Sequence, residues 1–341
     1  PGVRRRQIAV LGFLGSLAVM GVLLSLVGVD RIGEALSTAS PRLLAMVGAF
    51  GLAQVTAWGL SLRTVLGSLG VPVTRRKGVL LYASAMFANN VTPFGQAGGE
   101  PVTAYVINRV TDTRYESALA AIATVDAAHI FTSIGTALAG ALLTVTVFSP
   151  NRKLTLVVLA VFAIAGLGAA AVSLGLRYRR SIVEELEAPI ARGVRRLGQR
   201  LPETAARLLH GARRRFAGFT EDLGRVASNR TTLVLALSYS GAGWLCEVGA
   251  LAVALWGLGG PVPLATLLVV IPVGKLAGFV PLPGGFGSIE ATVVALLVAT
   301  TPVDGGLATA AVLLHRAATY WLPTLLGGGA SLGLGASARF A

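Results

Sequence analysis

Residues 89–100 read NNVTPFGQAGGE, residues 278–290 read GFVPLPGGFGSIE, and these two stretches decide the predicted fold. In each stretch a proline precedes a glutamate by seven residues, with glycines between them: Pro93 and Glu100, then Pro283 and Glu290. Proline and glycine interrupt a helix, and lipid offers no water to satisfy the backbone groups that the break frees. Paired breaks at matching positions in two halves of a chain are typical of transporters with a binding site near the bilayer midplane.

The composition is that of a polytopic membrane protein. Of 341 residues, 54% are hydrophobic and 13% charged, and the mean hydropathy is +0.74. The net charge of +14 comes almost entirely from arginine in loops, where the positive-inside rule explains it, so no nucleic-acid partner is predicted. The single cysteine, Cys246, excludes an internal disulfide, and no Cys/His metal cluster occurs.

Ten apolar segments are candidates for helices in the membrane: residues 8–29, 43–69, 79–91, 101–110, 117–148, 154–176, 231–258, 264–281, 288–300 and 306–334. The first follows three arginines at residues 4–6 and is long for a signal peptide, so we expect it to be a retained helix. The four segments that flank the breaks are short. Residues 79–91 cover about 20 Å as a helix, less than the roughly 30 Å of hydrocarbon. Each pair is therefore predicted to form a re-entrant hairpin.

Basic loops set the predicted orientation. Residues 177–230 carry thirteen arginines against six acidic residues, and we expect them to be cytoplasmic. Both termini are predicted to be cytoplasmic, and the two hairpins then enter from opposite sides. One offset in residue number relates Glu100 to Glu290 and Asp126 to Arg316 (290 − 100 = 316 − 126), so the two halves align with opposite orientation.

The predicted fold is an all-α polytopic membrane protein with inverted-topology repeats, each containing a re-entrant half-helix hairpin. We expect one membrane domain over residues 1–341, made of an N-terminal helix (8–29), repeat 1 (41–148), a linking helix (154–176), a basic amphipathic cytoplasmic segment (177–230) and inverted repeat 2 (231–334).

Five ionisable residues are predicted at membrane depth: Glu100, Asp126, Lys275, Glu290 and Arg316. Each costs at least about 2.5–3.5 kcal/mol to insert, so such residues face a cavity or a partner. In a functional interpretation, Arg316 and Lys275 hold an anionic headgroup. In a structural one, the glutamates cap half-helices and Asp126 pairs with Arg316. We expect the glutamates to be mainly architectural and Arg316 to bind the headgroup.

Uncharged candidates surround the same positions. Asn89, Asn90 and Gln96 could bind a sugar or phosphate, or satisfy the broken backbone. Tyr320 could stack on an acyl or isoprenoid chain, or anchor the helix at the interface. His129 lies one turn after Asp126, where a proton relay and a packing role are both open.

The chain resembles the lysylphosphatidylglycerol synthase transmembrane-region family, also described as having a flippase-like domain. The resemblance lies in residues 89–90 and 99–100, the PGGFGSIE of residues 283–290, and the HR and YWLP of residues 315–316 and 320–323. In two-part members this region moves an aminoacylated lipid between leaflets, and others are linked to polyprenyl-phosphate-bound sugars. The resemblance implies translocation alone for these residues.

The leading hypothesis is a lipid flippase or scramblase of the cell membrane. The alternatives are a membrane enzyme that acts on a lipid phosphate, and a non-transporting anchor for a synthase or glycosyltransferase. No P-loop, nucleophile elbow, zinc signature or dinucleotide fingerprint occurs, so neither an enzyme nor a cofactor is predicted. The predicted partners are membrane lipids and a lipid-modifying enzyme.

Overall fold

The structure, a computed structural model, describes residues 37, 39–91, 96–147, 152, 155–163, 203–280 and 282–337. The predicted N-terminal helix, the second part of the linking helix, residues 177–202 and Pro93 lie outside the described residues. The described residues form helices and turns and contain no strand. An all-helical fold is therefore confirmed for this part of the chain.

Four helices make up the first half of the fold: α1 (Pro41–Ser68), α2 (Arg75–Val91), α3 (Gln96–Thr111) and α4 (Tyr115–Val147). The second half follows the amphipathic helix α5 (Glu203–Ser228) and contains α6 (Arg230–Gly257), α7 (Leu264–Lys275), α8 (Ser288–Thr300), α9 (Gly305–Arg316) and α10 (Leu322–Ser337). A 3₁₀ turn, Leu276–Phe279, extends α7, and a π-helical turn, Ala317–Trp321, joins α9 to α10.

Helices α1, α6 and α9 begin at side-chain caps. Ser40 Oγ accepts a hydrogen bond from Leu43 N at 3.2 Å at the start of α1, where Pro41 is the first helical residue. Asn229 Oδ1 accepts from Thr232 N at 3.1 Å before α6. Asp304 Oδ1 accepts from Gly306 N at 2.8 Å before α9. These caps satisfy backbone donors that would otherwise be unpaired, and they fix where each helix starts.

The two halves contain the same elements at nearly constant spacing. Helices α1 and α6 both have 28 residues. Helix α4 has 33 residues, and α9, the π turn and α10 together also cover 33 (337 − 305 + 1). The starts of these two matching stretches, at Tyr115 and Gly305, differ by the same offset that relates Glu100 to Glu290 (305 − 115 = 290 − 100).

The helices fall into two classes of length. Three described helices are long and apolar enough to cross a membrane: Pro41–Ser68, Tyr115–Thr146 and Arg230–Gly257. Helices α2, α3, α7 and α8, which flank the two breaks, have only 17, 16, 12 and 13 residues. Each hairpin helix is therefore shorter than the three long helices. Helices α9 and α10, with 12 and 16 residues, are also short, but together with the π turn they form one stretch of helix.

The core lies where α1 packs along α6. Leu62, Leu66, Leu251 and Leu255 are completely buried there. Helix α2 packs against α10, and α7 packs against α4. A hairpin helix of each half therefore packs against the last helix of the other half. Large apolar side chains are exposed on the outside, among them Phe131, Leu142 and Leu325. An apolar exterior around an apolar core suits a protein whose solvent is lipid.

Helix α5 is attached to the base of α4 through one buried carboxylate. Asp222 Oδ2 accepts hydrogen bonds from Ser117 Oγ at 2.6 Å and from Arg114 Nη2 at 3.2 Å. Arg215 of α5 also pairs with Glu116 of α4, at 3.4 Å, and other side chains of α5, such as Phe216, are exposed. This helix therefore has an amphipathic pattern, as predicted for the end of the basic segment.

Candidate functional site

The second break forms an elbow built on glycine. Gly284, Gly285 and Gly287 have φ angles of 57°, 64° and 85°, a region that residues with a Cβ atom avoid. Glu290 Oε2 accepts a hydrogen bond from Gly287 N at 2.7 Å and so caps the first turn of α8. The architectural role predicted for Glu290 agrees with this contact.

Arg316 holds this elbow in place. Its Nε donates to Glu290 Oε1 at 2.6 Å, and its Nη2 donates to the carbonyl of Gly284 at 3.3 Å. The side chains of Arg316 and Glu290 are only 4% and 1% exposed. Glu290, and not Asp126, is therefore the partner of Arg316. A buried ion pair of this kind ties α9 to the elbow and leaves the guanidinium enclosed.

Aromatic rings cover the ion pair. Immediately after Arg316 the helix widens into the π turn, a feature often found at functional sites. The turn brings the Tyr320 ring to 4.2 Å from Arg316 Cζ, and the Phe286 ring stacks on Tyr320 at 6.1 Å. Tyr320 is buried, while Trp321, which contacts Phe286 edge-on, is half exposed. Trp321 is therefore the ring of this group that is open to an acyl chain.

A second buried network lies between four helices. Glu247 Oε1 of α6 accepts hydrogen bonds from Lys275 Nζ of α7 at 2.7 Å and from Gln54 Nε2 of α1 at 2.5 Å. His315 of α9 contacts the Glu247 backbone. Gln54 Oε1, Glu247 Oε2 and His315 Nε2 are buried and have no hydrogen-bond partner. Sequence reasoning missed Gln54; its one signal was an amide inside an otherwise apolar helix.

Lys275 differs from Arg316 in exposure. Its side chain is 24% exposed, although its partner Glu247 is fully buried. Lys275, Asp126 and Arg316 stand equally far from the first residue of their helices (275 − 264 = 126 − 115 = 316 − 305), about 17 Å along each helix axis. That the three charged residues lie at similar depth in the membrane stays a prediction.

The first elbow brings two acids together. The Asp126 carboxyl group on α4 lies in hydrogen-bonding contact with that of Glu100 on α3. Helix α3 begins at Gln96, so Glu100 is one turn inside it and does not occupy the capping position of Glu290. Asn89 Oδ1 lies against Gly99, and both Asn89 Oδ1 and Asp126 Oδ2 are buried without a hydrogen-bond partner.

The two asparagines of the first elbow have different contacts. Asn90 Nδ2 donates to Thr324 Oγ1 at 2.6 Å and links α2 to α10. Asn89 provides the unpartnered oxygen beside Gly99. The side chain of Gln96 lies outside the described residues. Asn90 thus has a packing contact, and Asn89 remains a candidate for contact with the substrate.

His129 belongs to an aromatic group between the two networks. Its ring lies 4.6 Å from that of Trp58, and its Nδ1 is 3.4 Å from Tyr82 Oη. Trp244 Nε1 donates to the His129 carbonyl at 3.0 Å. These contacts favour a hydrogen-bonded packing role for His129. Tyr82 lies within electrostatic range of both Asp126 and Glu247, so the group bridges the first elbow and the Lys275 network.

Comparisons with known proteins agree with these features. A model of the family described as the lysylphosphatidylglycerol synthase TM region matches residues 9–327. The chain belongs to this family. The match spans both elbows and every described helix of the two halves except the end of α10, and it points to a lipid-related function in the membrane.

Archaeal relatives match over nearly their whole length. Two UPF0104 membrane proteins of Methanothermobacter thermautotrophicus are similar to this chain. One is 26% identical over 335 residues, and the match covers 94% of this chain and 92% of the relative. The other is 24% identical over 327 residues, and the match covers 94% of this chain and 93% of the relative. A UPF0104 membrane protein of Pyrococcus horikoshii is 25% identical over 323 residues, with 92% of this chain and 94% of the relative covered. Together with the apolar helices, these matches identify a multi-pass membrane protein.

Proposed function

We propose that this protein is a flippase or scramblase that moves an anionic, phosphate-headed amphiphile between the two leaflets. The headgroup crosses through a polar cavity near the bilayer midplane, between the two elbows, while the tails stay in lipid. The proposed substrates are aminoacyl-phospholipids and polyprenyl-phosphate-linked sugars. The scheme needs no nucleotide and no cofactor.

The matching halves support an inverted-repeat arrangement with re-entrant elbows. Under the offset in residue number that relates the two elbows, α2 corresponds to α7 and α10 to the second part of α4. The packing of α2 on α10 is then the counterpart of the packing of α7 on α4, and α1 packs on its own counterpart, α6. A pseudo-two-fold axis between the halves produces this exchange, and rocking about such an axis gives alternating access.

The observation that carries the proposal is the unsatisfied polarity around Lys275. Buried polar atoms are nearly always hydrogen-bonded, yet three side-chain atoms of this network have no partner, on Gln54, Glu247 and His315. They adjoin an ammonium group that is partly exposed at about 17 Å along its helix. Unpaired groups at this depth are costly, so they are expected to meet a polar ligand during transport.

The geometry separates the roles of the two cations. Arg316 is enclosed and engaged by Glu290 and Gly284, so we assign it to the support of the elbow. Lys275 has three donors and one carboxylate partner among the described residues, and part of its surface is accessible. A compact ammonium on a flexible stem suits a headgroup phosphate that arrives and leaves. We therefore place headgroup contact at Lys275.

A leaflet-exchange assay tests this function. The purified protein is reconstituted into vesicles that contain a fluorescent phosphoglycolipid or a fluorescent polyprenyl phosphate, and a membrane-impermeant reductant destroys the outer-leaflet signal. We expect the protein to expose the inner-leaflet pool of at least one probe. Lys275→Ala also leaves the buried Glu247 without its cation, so its rate is compared at equal amounts of folded protein. That rate should fall at least about tenfold, which corresponds to about 1.4 kcal/mol of lost headgroup interaction.

Lys77→Ala is the matched control, because Lys77 donates to the carbonyl of Val110 at the mouth of the first hairpin, away from the network. It should move lipid at the wild-type rate. Exchange no faster than in protein-free vesicles with either class of probe would overturn the proposal. Equal rates for Lys275→Ala and Lys77→Ala would remove Lys275 from the headgroup site.

A further inference from the structure

Equivalent positions in the two elbows carry different chemistry. Glu100 corresponds to Glu290, and their contacting partners, Asp126 and Arg316, correspond to each other under the same offset in residue number. The second elbow therefore contains a carboxylate paired with a guanidinium. The first contains two carboxyl groups in contact with each other.

The charges of the buried networks balance everywhere except at this first elbow. Lys275 compensates Glu247 and Arg316 compensates Glu290, with contacts of 2.7 and 2.6 Å. No ion pair involves Glu100 or Asp126 within the parts of the chain that the structure describes. The titratable groups nearest to them are Tyr82 of α2 and, one turn along α4, His129; Glu247 of α6 lies beyond Tyr82. None of these is a fixed cation.

Side-chain oxygen atoms without partners occur on Asp126, on Asn89, which lies against Gly99, and on Thr103 of α3. Asp126 Oδ2 and Asn89 Oδ1 are enclosed and make no hydrogen bond. Thr103, one turn after Glu100 on α3, is 2% exposed, and its hydroxyl also has no partner. Unused oxygens next to two contacting carboxyl groups suit a bound cation, because two ionised carboxylates at this distance repel each other in a low dielectric.

The donor set favours a monovalent cation. Across the described ranges no third His, Cys, Asp or Glu joins the pair to make a group that could hold a divalent metal. A proton can be shared between two carboxyl groups, and Na⁺ takes carboxylate, amide and hydroxyl oxygens near broken helices. Both cations satisfy the same charge imbalance.

We propose that Glu100 and Asp126, with Asn89, form a binding site for a monovalent cation, H⁺ or Na⁺, whose occupancy is linked to lipid movement. The link rests on the proposed function, whereas the site itself does not. The second elbow carries its own cation, Arg316, and stays locked. The first elbow depends on a cation from solution and is the one that changes state.

Binding is tested separately from transport. Infrared difference spectra of the reconstituted protein between neutral and strongly alkaline buffers, in choline chloride, detect a carboxyl group that is still protonated at neutral pH by its C=O stretch. Melting temperature in NaCl against choline chloride, at alkaline pH and equal ionic strength, detects Na⁺. The variants are Glu100→Gln and Asp126→Asn, and Glu221→Gln on the exposed surface of α5 is the matched control.

The wild type and Glu221→Gln should show either the carboxyl band or the Na⁺-dependent rise in melting temperature, and both site variants should lose it. A band identifies H⁺ and a salt effect identifies Na⁺. If neither signal occurs in the wild type, or both site variants keep it undiminished, the cation site is overturned. If one site variant does not fold, the other decides the same comparison.

Leaflet exchange under an imposed pH or Na⁺ gradient then tests the link. The wild-type rate should change with the gradient of the cation identified above. Glu100→Gln should move lipid at a rate that does not depend on this gradient. A cation signal without any lipid movement would overturn the proposed function and leave the cation site standing. Lipid movement that responds equally to the gradient in wild type and Glu100→Gln would overturn the link.

Discussion

Among single residues, the two cationic side chains of the site, Arg316 and Lys275, have different roles although each stands at the same distance from the start of its helix. Arg316 offers a planar set of donors, and the fold uses them on Glu290 and on the carbonyl of Gly284. Lys275 keeps part of its surface open while it binds Glu247. Exposure, rather than charge, distinguishes the residue that supports the site from the one that is free to act on a ligand.

Arg316→Ala is expected to destabilise the protein. Its loss leaves Glu290 buried without its cation, a change that costs about 3–5 kcal/mol in other proteins. The sequence predicts that Arg316 binds the headgroup, but the enclosure of Arg316 makes a loss of stability the expected effect. Thermal unfolding in detergent, followed by far-ultraviolet circular dichroism, measures the effect.

Arg225→Ala is the control for this change, because Arg225 is half exposed and pairs with the exposed Glu221, while its second partner, the buried Asp222, keeps its hydrogen bonds to Ser117 and Arg114. Its melting temperature should stay near that of the wild type, since exposed pairs contribute at most about 1 kcal/mol. A double replacement, Arg316→Met with Glu290→Leu, should recover part of the stability that Arg316→Ala loses. Arg316→Ala melting with the wild type would show that the pair is not buried.

At the scale of elements, the elbows depend on backbone that ordinary residues do not adopt. Gly284 has a φ of 57°, and a Cβ atom placed there would collide with the Tyr320 ring. The turn and the aromatic cover of Arg316 are therefore one unit. The π turn after Arg316 completes it by bringing Tyr320 over the guanidinium.

Gly284→Ala should loosen the second elbow. We expect a loss of at least about 1 kcal/mol, because the new methyl group meets both backbone strain and Tyr320. Gly48→Ala in α1 is the matched control: nothing lies within 4 Å of its added methyl group, and alanine is the better helix former by about 0.5–1 kcal/mol. Hydrogen exchange at the start of α8 should quicken in Gly284→Ala only. Unchanged exchange there would contradict the proposed rigidity of the elbow.

The positions of the long helices could largely be predicted from the sequence, because each is a long apolar run between polar or turn-forming residues. The apolar runs at 43–69, 117–148 and 231–258 predict α1, α4 and α6 to within two residues at either end. Helix α3 starts at Gln96, ahead of the predicted 101, because helix continues through Gly98 and Gly99 before Pro101. Glycines near a proline suggested a turn, and packing against α2 and α4 overrides that preference.

The partners within the site could not be predicted in the same way. Apolar periodicity fixes which face of a helix is buried, but the pairing of Glu290 with Arg316 and of Asp126 with Glu100 depends on rotation of each helix by fractions of a turn. Gln54 and the π turn left no distinctive pattern in the sequence. The distance of each charged residue from the start of its helix was predictable, because it follows from counting residues along a helix.

At the scale of the whole molecule, the account depends on two elbows that enter the membrane from opposite sides and enclose a polar region. The equal lengths of α1 and α6, the equal lengths of α4 and the α9–α10 stretch, and the exchanged packing of the two halves support this arrangement. It places both ends of the first hairpin in the cytoplasm, together with α5. Both ends of the second hairpin then lie outside.

Cysteine accessibility measures this arrangement directly. In a Cys246→Ser background, single cysteines replace four residues at the hairpin ends, Arg76, Thr113, Pro261 and Pro302, and an impermeant thiol reagent is applied to intact cells and to inside-out vesicles. The account predicts labelling of Arg76→Cys and Thr113→Cys only from the cytoplasmic side, and of Pro261→Cys and Pro302→Cys only from the outside. Labelling of the two ends of either hairpin from opposite sides would show that it crosses the bilayer, and would contradict the account.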